Sequence, residues 1–172
     1  MPCVRYCNRP FSSIDEMNER LINNWNEKIS PEDTTYILGD FAFSGSRKIF
    51  PRLNGHKILV IGDHDQDSLN QARNLFDDMA PLFNLMLDHD GLDELNHPYA
   101  HYIPVTLCHW CMRVWRKSHF NAWHLYGHSH GTLPPIGKSW DVGVDNNYYY
   151  PVSLNEIYKI MDTRPDNPNK VS

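Results

Sequence analysis

The sequence predicts an α/β domain, with a mixed sheet or two stacked sheets flanked by helices. Three observations lead there. Helical and extended segments alternate early in the chain, and extended segments dominate later. Hydrophobic residues make up 41% and charged residues 22% of the 172 positions, ordinary globular usage that excludes disordered and fibrous classes. No apolar run approaches the roughly 18 residues that a membrane-spanning helix needs.

The elements follow in order. Ser13-x-x-Glu16 reads as a capping box, and Ile14, Met17, Leu21, Ile22 and Trp25 keep helical spacing up to a stop near Pro31. Thr34 to Leu38 reads as a strand ended by Gly39-Asp40. A short helical piece is predicted over Arg47 to Leu53, and a second strand over Lys57 to Ile61, ended by Gly62-Asp63-His64-Asp65. Residues 67–78 suit a helix. Strands follow at Phe83 to Leu87 and Ile103 to Cys108, separated by a polar loop. Ala122 to Tyr126 is a strand stopped by Gly127-His128-Ser129-His130-Gly131, and Trp140 to Val144 is a further one. Ser153-x-x-Glu156 caps a last helix through Met161. The expected organisation is one domain over residues 1–162 and a flexible C-terminal tail over 163–172.

A net charge of −5 argues against gripping nucleic acid by bulk positive charge, but is compatible with reaching phosphate through metal ions. The start, Met1-Pro2-Cys3-Val4-Arg5, has no apolar signal segment, so a cytoplasmic protein with reduced cysteines and no membrane association is expected. Cys3-x3-Cys7 and Cys108-x2-Cys111 resemble two zinc ligand pairs. His109 and Trp110 fill the second gap, where a zinc knuckle wants small turn residues, so small buried apolar residues are the preferred reading.

The chemistry gathers at strand ends. Four apolar strands lead to Asp40, to Asp63, His64 and Asp65, to His109, and to His128 and His130. Ligands of open α/β sheets bind beyond the carboxyl ends of strands, so residues distant in sequence can share one site. Mixed carboxylate and imidazole donors suit Mn, Fe, Zn or Ni. Each signal alone is weak, since Gly-Asp after a strand is most often a turn. Together they point to a metal site.

Gly39-Asp40, Gly62-Asp63-His64-Asp65, Cys108-His109 and Gly127-His128-Ser129-His130 resemble, in order and spacing, four of the five motifs of the calcineurin-like metallophosphoesterases. The flanks Tyr6 to Phe11, Met112 to Trp115, Trp123 to Tyr126 and Asp141 to Asp145 are similar to a compact microbial and phage branch. The resemblance implies a four-layer sandwich of two mixed sheets between helices and a two-metal site. It implies that Asp40 bridges two metals, that Asp63, His109 and His128 complete the second, and that His130 belongs to the first. It also implies that His64 faces the scissile phosphate as the acid, oriented by Asp65, while metal-activated hydroxide attacks phosphorus.

Two departures are visible. The family's first motif, Asp-x-His on an opening strand, has no counterpart, and the chain starts at the segment that follows it in relatives. Asp63 stands where the family has Asn, which adds a charge and removes an amide donor. Counting ligands then gives one tight divalent metal and a second weak or empty position. The leading expectation is a phosphoesterase acting on a phosphodiester or phosphomonoester, nucleotides included, with reduced activity. The alternative is a metal-binding regulatory or interaction protein that keeps the fold without turnover. Arg9, Arg113 and Arg116 are candidate phosphate contacts, and Trp110, Trp115, Trp123 and Trp140 read as packing rather than stacking platforms.

Overall fold

The computed structural model describes residues 8–88 and 102–169. Helix α1 spans Ile14–Lys28, with the Ser13 side chain accepting from the Glu16 amide as the capping motif predicts. Strand β1 is Thr34–Ile37. The short helix α2, Ser46–Ile49, runs into a 3₁₀ turn at Phe50–Arg52. Strand β2 is His56–Val60.

Residues 67–78 are not the helix their composition suggests. A π turn at Ser68–Ala72 and a 3₁₀ turn at Arg73–Leu75 give way to strand β3, Asp78–Ala80, which pairs in parallel with β2. The reason is tertiary. Phe76 and Ala72 bury against Leu59, and the Asp77 carboxylate accepts the Lys57 amide at 2.8 Å, drawing the segment onto the open edge of β2.

The remaining strands are β4 Leu82–Asp88, β5 Tyr102–Cys108, β6 Trp123–Tyr126 and β7 Ser139–Asp141, followed by helix α3, Leu154–Asp162. Two sheets result. One is β1-β2-β3, all parallel. The other is β4-β5-β6-β7, antiparallel between β4 and β5 and parallel elsewhere. The chain is thus an α/β fold with two sheets and helices.

Strand β2 explains its own sequence. Leu59 packs with Ala72, Phe76 and Phe50 on one face, while Val60 packs with Val105, Leu107, Trp123 and Leu125 on the other. A strand covered on both faces reads as a continuous apolar run. Strand β6 is also buried throughout, with His124 tilted over the Trp115 ring at 5.4 Å. Both His124 nitrogens are satisfied: Nδ1 donates to the Thr106 carbonyl and Nε2 accepts the Met112 amide. Burial pushes its pKa down, so it stays neutral as a core residue.

The expected loose tail is, through Asn169, attached. Asn167 is buried, its amide donates to the Ser118 carbonyl, and its side chain donates to the Arg113 carbonyl. Arg164 donates to the Ser139 carbonyl. Composition suggested freedom here, but these polar side chains satisfy backbone groups of distant loops. Among the described residues, no helix is long and apolar enough to cross a membrane.

Glu156 completes a capping box with Ser153 and also accepts from Lys28 of α1 at 2.9 Å. The Lys28 hydrogen bond, then those from Ser153, hold its carboxyl at about 2 against an ordinary 4.5. A depressed folded-state pKa contributes stability above the ordinary value and loses it as pH falls through the folded one. Glu156→Gln keeps an oxygen for the cap and loses only the charge, so it should destabilise the protein at neutral pH by less than about 1 kcal/mol, the scale of an exposed ion pair with Lys28. Urea unfolding across pH should show the gap full above about 4.5 and closing towards 2.

Candidate metal centre

The loops that follow β1 and β2 are joined by one buried carboxylate. Asp65 has no exposed surface. Its Oδ2 accepts the amides of Asp40 and Gly62, and its Oδ1 accepts that of Phe41, all at 2.8 Å. A buried carboxylate with three amide donors is a strong, directional tie. The resemblance gave Asp65 the task of orienting His64. Here both oxygens are instead engaged by backbone, and the residue shapes the loops.

Asp40 is held in a left-handed conformation, φ +55°. The His64 amide donates to its Oδ1 at 2.8 Å, and Oδ2 lies 3.6 Å from His109 Nε2. His109, at the end of β5, is 1% exposed, and its Nδ1 lies 2.8 Å from the Leu38 carbonyl. A carbonyl can only accept, so Nδ1 carries the proton and Nε2 presents its lone pair. Such an outer hydrogen bond is what fixes a ligating histidine's tautomer.

His109 Nε2 faces His128 Nδ1 at 3.1 Å and Asp63 Oδ2 at 3.8 Å. His128 Nδ1 lies 3.3 Å from the same Asp63 oxygen, which also accepts the Trp110 indole N–H at 3.0 Å. Asp40, His109 and His128 form a group that could hold a metal ion, their donor atoms all within 4.8 Å of one another. It is the one such group among the described residues. Two imidazole nitrogens so close require a proton or a cation between them, and carboxylate oxygens beside them supply balancing charge. This donor set fits a borderline divalent transition ion.

The site opens to solvent on one side. The His128 and Asp63 side chains are 52% and 43% exposed, against 1% for His109. The His64 ring is exposed and rests on Phe43, with centroids 4.5 Å apart.

His130 stands apart from the three-residue group. Its Nδ1 lies 2.6 Å from Asp145 Oδ2, and Arg9 grips the same carboxylate with Nε at 2.7 Å and a terminal nitrogen at 2.8 Å. Burial pushes the Asp145 carboxyl up, but the His130 and Arg9 hydrogen bonds and the Arg9 charge outweigh it and hold it at about 2. The Asp145 hydrogen bond in turn raises His130, against a smaller opposing effect of burial. Arg9 is thus engaged within the fold, while Arg113 and Arg116 are exposed.

A second buried carboxylate shapes this loop. Asp141 Oδ2 accepts the Ser129 hydroxyl at 2.6 Å and the Gly131 amide at 3.0 Å, and Oδ1 accepts the Gly143 amide. His128 and His130 sit on either side of Ser129, both with positive φ. Sequence reasoning left Asp141 and Asp145 without a role. Both lie in the Asp141 to Asp145 stretch that carries part of the resemblance, with Asp141 at a strand end two positions before Gly143.

Cys108 is buried and Cys111 half-buried, both free thiols, and neither joins a metal group among the described residues. Cys3 and Cys7 lie outside the described residues. Trp115 and Trp123 pack in the interior as expected, but Trp110 is 41% exposed.

Gly39 has φ +88°, and a Cβ there would lie 2.2 Å from His109 Nδ1 and 2.9 Å from the Gly62 Cα. Gly39→Ala should therefore displace His109 from the Leu38 carbonyl, lower stability by several kcal/mol and abolish tight Mn²⁺ binding. Gly45 also has positive φ, but a Cβ there meets nothing within 4 Å. Gly45→Ala should cost only about 1 kcal/mol of backbone strain and leave binding intact. Thermal unfolding and Mn²⁺ titration of both variants make the comparison.

No family model matches the chain. It is similar to an uncharacterized protein of Methanocaldococcus jannaschii, 29% identical over 171 residues, covering 92% of this chain and 83% of that one. It is also similar to the gene 66 protein of Mycobacterium phage D29, 27% identical over 126 residues and 63% of each chain. Among solved structures it resembles a protein of unknown function from Aquifex aeolicus, with a TM-score of 0.63 and 23% identity over 92% of this chain and 91% of that one. That likeness shows the fold.

Proposed function

We propose that the chain is a metal-dependent phosphoesterase of the calcineurin-like kind, working in the cytoplasm, with one tightly held divalent ion and a weaker second position. The observation that carries this reading is the meeting of Asp40, His109 and His128, with Asp63 beside them, from the ends of four strands. These are the residues on which the motif resemblance rests, in their motif order.

The proposed ligands of the tight ion are Asp40, Asp63, His109 and His128. When bound, the ion would supply Lewis acidity and a water acidified enough to attack phosphorus. The chain's own residues divide the other tasks. His109, locked by the Leu38 carbonyl, presents a lone pair from a water-excluded position. The His64 amide orients Asp40, which leaves the imidazole outside the ligand group and open to solvent. That ring is the proposed donor of a proton to the leaving oxygen. Asp65 and Asp141 hold the two loops, so removing either would disturb ligands without touching substrate.

The second reading, a metal-binding regulatory protein without turnover, draws on His130. It stands outside the Asp40, His109 and His128 group, with its Nδ1 held by Asp145, so that group by itself offers a place for one ion rather than a pair. Elemental analysis and initial rates on bis(p-nitrophenyl) phosphate with added Mn²⁺ separate the two. We expect fewer than two ions per chain and slow hydrolysis. His64→Ala should lower turnover about 10²-fold or more with metal content nearly unchanged, as for loss of a general acid. His109→Ala should lose both. Equal loss of metal and rate in His64→Ala would make His64 a ligand, and full metal content without hydrolysis in the parent protein would favour the regulatory reading.

A further inference from the structure

Two large aromatic side chains stand at the rim of the metal centre, and the fold makes little use of their outer surfaces. Phe43 is 44% exposed and Trp110 is 41% exposed. Each is tied to one of two consecutive residues. Phe43 lies against the His64 ring at 4.5 Å with a 30° tilt, and Trp110 donates its indole N–H to Asp63 Oδ2 at 3.0 Å. Trp110 is also edge-on to His109, with centroids 5.3 Å apart. One group of contacts orients each ring, and the rest of its surface meets solvent beside the ligands.

Single exposed aromatics are common on a protein surface, and what sets these two apart is that each is fixed beside the ligand group, where binding sites pair apolar rings with a few placed polar groups. Rings held by a hydrogen bond or a stacked neighbour lose little entropy when a ligand settles on them. Any planar ring can stack on such a surface, whatever its substituents.

We infer that Phe43 and Trp110 recognise a planar aromatic group carried on the phosphate ester, a nucleobase or an aryl ring. This substrate class rests on the phosphoesterase reading for the position of the phosphate. Ring recognition itself is measured by binding, so the two can fail separately.

The test uses the full chain saturated with Mn²⁺ and isothermal titration with adenosine 5′-monophosphate, phenyl phosphate and glycerol 3-phosphate. Both aromatic esters should bind about tenfold more tightly than glycerol 3-phosphate, the scale of one stacked ring. Phe43→Leu should bring that ratio towards one, and Phe43→Trp should keep it. Trp110→Leu should also reduce the ratio, with its Mn²⁺ affinity measured separately because it loses the Asp63 hydrogen bond. Equal affinity for the three esters overturns the inference. So does a preference for AMP alone that survives both leucine substitutions. Hydrolysis of the same esters is followed in parallel: a ring preference without turnover upholds recognition and defeats the catalytic reading.

Discussion

Asp65 is the residue on which the geometry of the site depends. The loops after β1 and β2 leave parallel strands and share no ladder beyond them. Three amides converging on one buried carboxylate replace that ladder. The tie sets the left-handed turn at Asp40 and brings the His64 amide onto the Asp40 carboxylate. An unpaired buried carboxylate would be strongly unfavourable, so the loops cannot open without a large penalty. Asp141 repeats the device on the other side, gathering Ser129, Gly131 and Gly143. Two carboxylates that touch no candidate ligand side chain thus position ligands from all sides.

Backbone strain follows the same pattern. Positive φ occurs at Asp40, His128 and His130, as it does at several other non-glycine residues, and Asp and His enter this left-handed region more readily than most. Strain of this kind persists only where the surroundings over-determine it, and it concentrates where side chains must be aimed. Gly39 and Gly62 complete the arrangement through what they lack. A Cβ on either would fall within 3 Å of His109 or Asp40 atoms. The imidazole lies close against the backbone, which explains both its near-total burial and its fixed tautomer.

The centre has one closed and one open side. His109 is anchored in the interior, while Asp63, His128 and His64 face solvent. Aromatic rings border the open side. Across the loop, Arg9, Asp145 and His130 form a separate charged cluster. Its partly buried carboxylate is balanced by two donors, which accounts for its ionised state.

The sequence by itself determined the elements whose signals are local. The Ser153 capping box, the Ser13 cap, the apolar strands and the glycine-broken strand ends form close to where the local signals place them, because caps and turn residues act within a few positions of themselves, although the Glu16 carboxylate turns to Ser12 rather than closing a box on Ser13. It also determined which side chains could be ligands, since few residue types bind metals and these followed strands. Tertiary structure decided the rest. Residues 78–80 became a strand because β2 had an open edge, and 163–169 became attached because distant carbonyls and amides needed partners. Asp65 turned from an expected partner of His64 into a backbone clamp. His130 Nδ1 has its partner in Asp145, a residue fifteen positions away. Trp110 differs from Trp115 and Trp123 only in where the fold leaves it. Burial and long-range pairing depend on which surfaces meet, and no local pattern in the chain encodes that.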